Sequence, residues 1–214
     1  MIARAKINKI ILSYYVVMSE EAIKFDYVGF KNPGKQNTDK CLEVAKKNAD
    51  ILGIKTIVIA STTGFTAKMA CEKYFPPRDY KVIIVTHNAY FKEELAHEMP
   101  ENQRKDLINN GAIVVTGTLA FSGVQSSLEK AHGHWEFSNL FAKTIRTIMW
   151  DGVKVCMEIV MIAADTGEID LVNEKEVISI AGTGRGADTC CLITPNTTRR
   201  FLDLRLKAIL CKPL

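Results

Sequence analysis

The sequence predicts an α/β protein, a three-layer α/β/α arrangement with a mostly parallel sheet between helices, and three observations carry that reading. Short apolar runs rich in β-branched residues at 55–60, 81–86, 112–116 and 176–181 read as buried strands. Segments with apolar residues at helical spacing alternate with them, the pattern of a parallel sheet covered on both faces. The first three runs each end in small polar residues, namely Ser61-Thr62-Thr63-Gly64, Thr86-His87-Asn88 and Thr116-Gly117-Thr118. Ligands of such sheets gather outside the carboxyl ends of the strands.

Taken in order, residues 25–30 alternate enough for a strand, and 31–38 form a turn-rich loop around Asn32-Pro33-Gly34 that ends in helix caps. Over 39–52, Leu42, Ala45, Ala49 and Leu52 recur at helical spacing, and Gly53 supplies a stop. The strand at 55–60 leads into a helix after Gly64, which Pro76 and Pro77 break. A strand at 81–86, a polar helix at 100–110 ended by Gly111, and a strand at 112–116 follow. Helical patterns occupy 124–131 and 139–149. Val153-Lys154-Val155 looks strand-like, but the length of the 152–164 run suits a mostly buried helix better. The strand at 176–181 precedes the glycine-rich 182–186 segment, and 189–194 and 204–211 read as closing strands.

A chain of 214 residues forms one domain, here 26–214, with an N-terminal extension at 1–25. It buries roughly 70% of its unfolded surface and needs no disulfide or metal to hold together. Its 47% hydrophobic and 24% charged residues are those of a soluble globular protein. The net charge of +4 is mild, and aromatics do not interleave with the basic residues as nucleic-acid binding would favour. Cys41, Cys71, Cys156, Cys190, Cys191 and Cys211 include no C-x-x-C, and most sit in apolar runs, which fits a reducing cytoplasm. His132 and His134 lack the neighbouring ligands that would complete a metal site, so no metal is expected. No apolar run has membrane-spanning length. The N-terminus imitates a signal peptide but lacks a cleavage pattern, and Met18 is an alternative start. A homodimer is the default oligomer.

The strand–loop–helix at 55–73 is the most informative segment. A strand tip feeding a helix N-terminus presents unpaired N–H groups and a positive dipole end, which suits an anion. Ser61, Thr62, Thr63 and Thr66 add hydroxyls, and Gly64 lets an oxyanion approach the backbone. Helix capping by the same hydroxyls is the competing explanation. Gly182-Thr183-Gly184-Arg185-Gly186 lacks dinucleotide-fingerprint spacing and reads either as a hairpin turn or as a phosphate-gripping loop, with Arg185 as the fork-shaped donor and Asp188 to orient it or to hold a ligand hydroxyl.

These segments resemble a known family. Residues 58–67 (VIASTTGFTA) are similar to the phosphate-holding loop of the pyruvate kinase C-terminal domain. A closer resemblance is to the stand-alone pyruvate kinase C-terminal-domain-like proteins of archaea and bacteria. It is carried by Asn32-Pro33-Gly34 with Asn37-Thr38, the 61–67 loop, Ser122-Gly123, Lys154-Val155-Cys156, Ala163-Ala164-Asp165-Thr166-Gly167, the 184–189 segment and Cys211-Lys212-Pro213. The resemblance implies a three-layer α/β/α sandwich and a nucleotide such as FMN as ligand. Phe65 stands where the kinases often have arginine, so their sugar bisphosphate effector is not implied. No catalytic barrel precedes the matched region, and complete pyruvate kinase activity is not expected.

The resulting expectation is a protein that binds a phosphorylated small molecule on the 61–66 loop. Asn32, Asn37 and Thr38 would close one side, Thr86, His87, Thr116 and Gly117 would border the cleft, and Gly184, Arg185 and Gly186 would cover it. Two alternatives stand beside it. One is an enzyme acting on a phosphorylated metabolite with His87 as general acid or base. The other is a regulatory module that senses an effector for a partner protein.

Overall fold

The structure is a computed structural model that describes residues 24–92, 94–133 and 137–214. The expected extension lies almost wholly outside these residues, as does His134 of the H-x-H pair. Among the described residues seven strands form: β1 (Val28–Phe30), β2 (Thr56–Ala60), β3 (Lys81–Val85), β4 (Ile113–Val115), β5 (Val177–Ala181), β6 (Thr189–Thr194) and β7 (Arg205–Pro213). They join one sheet in the order β1-β7-β6-β5-β2-β3-β4. β6 runs antiparallel to both neighbours, and the other pairings are parallel.

The helices are α1 (Thr38–Leu52), α2 (Phe65–Met69), α3 (Glu101–Asn109), α4 (Gly123–His132), α5 (Phe137–Met149) and α6 (Asp151–Asp165). α2 continues as a π turn over Ala70–Tyr74, before the proline pair. Gly53, at φ 67°, ends α1 by donating its N–H to the Ala49 and Asp50 carbonyls.

Strand alternation splits the apolar residues between two cores. Ile57, Ile59, Ile84, Ile178, Ile180 and Cys190 face the layer containing α1, α2 and Leu107 of α3. Val58, Ile83, Val85, Ala181 and Cys191 face the layer containing α5 and α6. The period-2 geometry of a strand thus places neighbours Cys190 and Cys191 in different cores. α6 buries residues on all sides, from Gly152 to Ala164, which explains why its pattern shows no clean helical stripe. It packs so closely on β6 that a Cβ at Gly152 would lie 2.0 Å from Thr189 Oγ1.

The topology positions a site. After β2 the chain moves to its neighbour β3, but after β5 it moves to β6 on the opposite side. Strand order therefore reverses between β5 and β2, and the crevice outside their carboxyl ends is where open α/β sheets hold ligands.

Candidate functional site

A cleft of about 620 Å³ opens at that crevice. It is lined by the strand-tip residues Ser61, Thr62, Thr63, Thr66, Thr86 and His87, and by Gly182, Thr183, Gly184, Arg185 and Gly186 of the β5–β6 turn. Lys35 enters from the loop before α1, and Asp151, Lys154, Val155, Glu158, Ile159 and Ile162 enter from α6. Lys35, Arg146, Lys154 and Arg185 oppose the two lining carboxylates, Asp151 and Glu158, leaving a net positive field.

In the 61–66 loop the hydroxyls divide their roles. Ser61 is buried; its N–H pairs with the Val85 carbonyl at 3.0 Å, and its Oγ accepts the Ala67 N–H at 3.1 Å. It therefore anchors the loop and caps the helix. Thr62 and Thr63 line the cleft, and their N–H groups and that of Gly64 meet no acceptor among the described residues. Gly64 adopts φ 87°, a conformation that favours glycine, and an added Cβ would have to displace the end of the Gln103 side chain, whose Cδ lies 2.4 Å away. The Lys35 ammonium lies 3.9 Å from the Phe65 ring centroid, a cation–π contact that parks a positive charge beside the loop.

Several predicted residues serve the walls instead of the cleft. Thr38 is buried; its Oγ1 donates to the Lys35 carbonyl at 2.7 Å and accepts the Ala187 N–H at 2.9 Å. Asn37 donates to the Asn32 carbonyl at 2.7 Å within its own loop. Thr116 Oγ1 lies 2.8 Å from Thr86 Oγ1, and Gly117 gives way to Ile162, whose Cγ2 would be 2.6 Å from an added Cβ. Asp188 does not orient Arg185. It is fully buried and accepts from Gly34 N–H at 2.9 Å, Thr183 N–H at 3.3 Å and Thr189 Oγ1 at 2.9 Å. It thereby ties the loop before α1 to the β5–β6 turn.

The antiparallel β5–β6 pair makes the glycine-rich segment a hairpin turn, and the turn places Arg185 on the cleft. Trp150, between α5 and α6, braces it by donating its Nε1–H to Thr183 Oγ1 at 2.8 Å. Its backbone sits at φ 108°, ψ 153°, a region that essentially only glycine occupies without strain.

Glu98, Lys154 and Glu158, to which the sequence reading gives no role in the site, also stand in or beside the cleft. Glu98 holds His87 Nδ1 at 2.9 Å, and the His87 ring packs on Phe91 with centroids 4.1 Å apart. Burial raises the Glu98 carboxyl, but Lys92 and His87 overcome this and hold it below its ordinary 4.5. Lys154 and Glu158 form a close buried ion pair on α6. Burial pushes the Lys154 ammonium below its ordinary 10.5 against the pull of Glu158. A lysine and a glutamate four apart inside an otherwise apolar run were the readable signal for this pair.

Among the described residues no group of three or more His, Cys, Asp or Glu could hold a metal ion. No described helix is long and apolar enough to cross a membrane. No family model matches the chain.

Proposed function

We propose that this protein binds a phosphorylated small molecule, a nucleotide such as FMN among the candidates, with its phosphate on the 61–66 loop. One observation carries the reading: the loop's unpartnered N–H groups and the Thr62 and Thr63 side chains border a cationic cleft of about 620 Å³. That volume lies in the range of small-molecule sites, about 300–1,000 Å³. Lys35 and Arg185 supply charge from two further loops, and the apolar wall of Leu119, Val155, Ile159 and Ile162 suits a ring. The resemblance to the stand-alone pyruvate kinase C-terminal-domain-like family is part of this proposal, and the α/β/α architecture is compatible with it. A cytoplasmic setting fits the six free cysteines.

Titration calorimetry with FMN and with inorganic phosphate tests the reading. Thr63→Val removes one donor at constant shape, and a lost hydrogen bond to a charged group costs about 1.5–3 kcal/mol. Binding should weaken about ten- to a hundredfold with the fold intact. Equal affinities in the variant and the parent protein contradict the assignment.

A second reading is favoured by one contact, the 2.9 Å pairing of His87 Nδ1 with the shielded Glu98 carboxylate. A carboxylate on Nδ1 fixes the tautomer and leaves Nε2 to exchange protons, the arrangement of a general acid–base histidine. Turnover of a phosphorylated metabolite that disappears in His87→Ala while binding persists supports it; unchanged turnover removes it.

A further inference from the structure

The phosphate-binding reading of the 61–66 loop assigns no contact to the buried Lys154–Glu158 pair. Their side chains are only 3% and 4% exposed, yet both form part of the cleft wall. Glu158 is fixed from two directions: Oε2 contacts Lys154 Nζ, and Oε1 accepts the Phe121 N–H at 2.9 Å. An ammonium carries three N–H donors, and Glu158 is the one hydrogen-bonding acceptor that meets Lys154 Nζ among the described residues. The Phe121 ring centroid lies 5.7 Å from Nζ, and Leu119, Val155, Ile159 and Ile162 line the same cleft alongside the polar Ser122 and Thr183. The next charges are Arg146 and Asp151, paired with each other at 2.5 Å. As a stabilising device the arrangement is poor, because desolvating two ions offsets most of their attraction. As a reactive site it is well made: a buried amine in the cleft wall beside an anchored carboxyl group.

We propose that Lys154 is a nucleophilic amine that forms an imine with the carbonyl carbon of a phosphorylated aldehyde or ketone, with Glu158 as its proton carrier. The proposal rests on the phosphate-binding reading of the 61–66 loop, which would hold the other end of the same substrate.

Glu158 takes a proton from the ammonium, which frees the nitrogen lone pair. The amine adds to the carbonyl carbon, the C=O π pair moves to oxygen, and a proton passes from nitrogen to that oxygen. Glu158 then returns its proton to the hydroxyl, the C–O bond breaks, and water leaves. The product is a protonated imine facing the Glu158 carboxylate. One water is released and no atom changes oxidation state overall. The downward displacement of the Lys154 ammonium by burial works in the same direction.

Reductive trapping with cyanoborohydride tests this on the whole chain. Glyceraldehyde 3-phosphate is the probe, and unphosphorylated glyceraldehyde is its control. Peptide mass mapping should find Lys154 modified ahead of the exposed lysines, with the phosphorylated probe favoured by about tenfold or more, one charge-assisted contact's worth. Glu158→Gln should slow labelling by about a hundredfold, the usual scale of a lost general acid–base group. Lys154 left unmodified in a protein that still binds inorganic phosphate overturns the amine's role and leaves the phosphate site standing. Equal labelling by the two aldehydes overturns the phosphorylated substrate class and, with it, the loop's part. Both comparisons use the unmutated protein, so they hold even if a variant fails to fold.

Discussion

The Glu98 carboxylate, 6% exposed, touches three cationic or ionisable groups drawn from two loops. His87 lies at 2.9 Å, Lys92 at 3.0 Å and Arg185 at 3.5 Å. A single shielded carboxylate thus joins the tip of β3 to the β5–β6 turn across the mouth of the cleft. Its folded-state pKa is depressed below the ordinary 4.5. The unfolded chain therefore binds the proton more readily, so Glu98 contributes stability above pH 4.5 that fades as pH falls through the folded value. Glu98→Gln should cost about 1.5–3 kcal/mol near neutral pH, the scale of hydrogen bonds to charged groups. The gap between variant and parent should close in denaturation curves recorded well below pH 4.5. A gap that widens with acidification contradicts the linkage. Trp150 is the second such residue, since its strained backbone is held by ring packing and one bond to the glycine-rich turn. Trp150→Phe keeps an aromatic ring in place but deletes that bond and part of the indole's packing. It should lower the melting temperature modestly and weaken FMN binding several-fold, because the turn carrying Arg185 loses its brace.

α6 is the element on which both cleft and core depend. Its 15 residues fill the layer over β5 and β6, and its first turns carry Asp151, Lys154 and Glu158 to the cleft. Because the ion pair is buried, removing one partner leaves an uncompensated charge, whereas removing both does not. Glu158→Leu alone should lose about 3–5 kcal/mol in urea unfolding. The double variant Lys154→Met with Glu158→Leu should recover much of that loss, with the orphaned Phe121 N–H setting a remaining cost of about 1–3 kcal/mol. A double variant less stable than the single one contradicts the view that the pair serves chemistry and not the fold.

Among the described residues two cores flank one sheet, and five cysteines lie inside them. Cys71 alone is part-exposed, and burial pushes its thiol up to about 11. A thiol reagent should therefore modify Cys71 slowly in the native protein and the other five at the rate of global unfolding. Fast modification of any buried cysteine contradicts the packing. Most of this architecture is legible in the chain: β-branched runs such as Thr56–Ala60 mark strands, and Gly53 and Pro76-Pro77 mark helix ends. The reversal of β6 is not, because Thr189–Thr194 is buried on both faces and its pattern is indifferent to direction. The site is legible where it is local, as at Thr62, Thr63 and Arg185. It is hidden where topology assembles it: Lys35 against Phe65, Glu98 against His87, and α6 against the strand tips. Thr38, Asn37, Thr116 and Asp188 show the converse, since polar residues around the cleft also tie the loops and strand ends of its walls together.

A few backbone amides carry the proposed phosphate site, and amide NMR observes them directly. Titrating the ¹⁵N-labelled protein with inorganic phosphate should give saturable shifts at Thr62, Thr63, Gly64 and the first turn of α2, attenuated in Thr63→Val. Amides in this loop that stay still at saturating phosphate and FMN, while others move or none do, would contradict it.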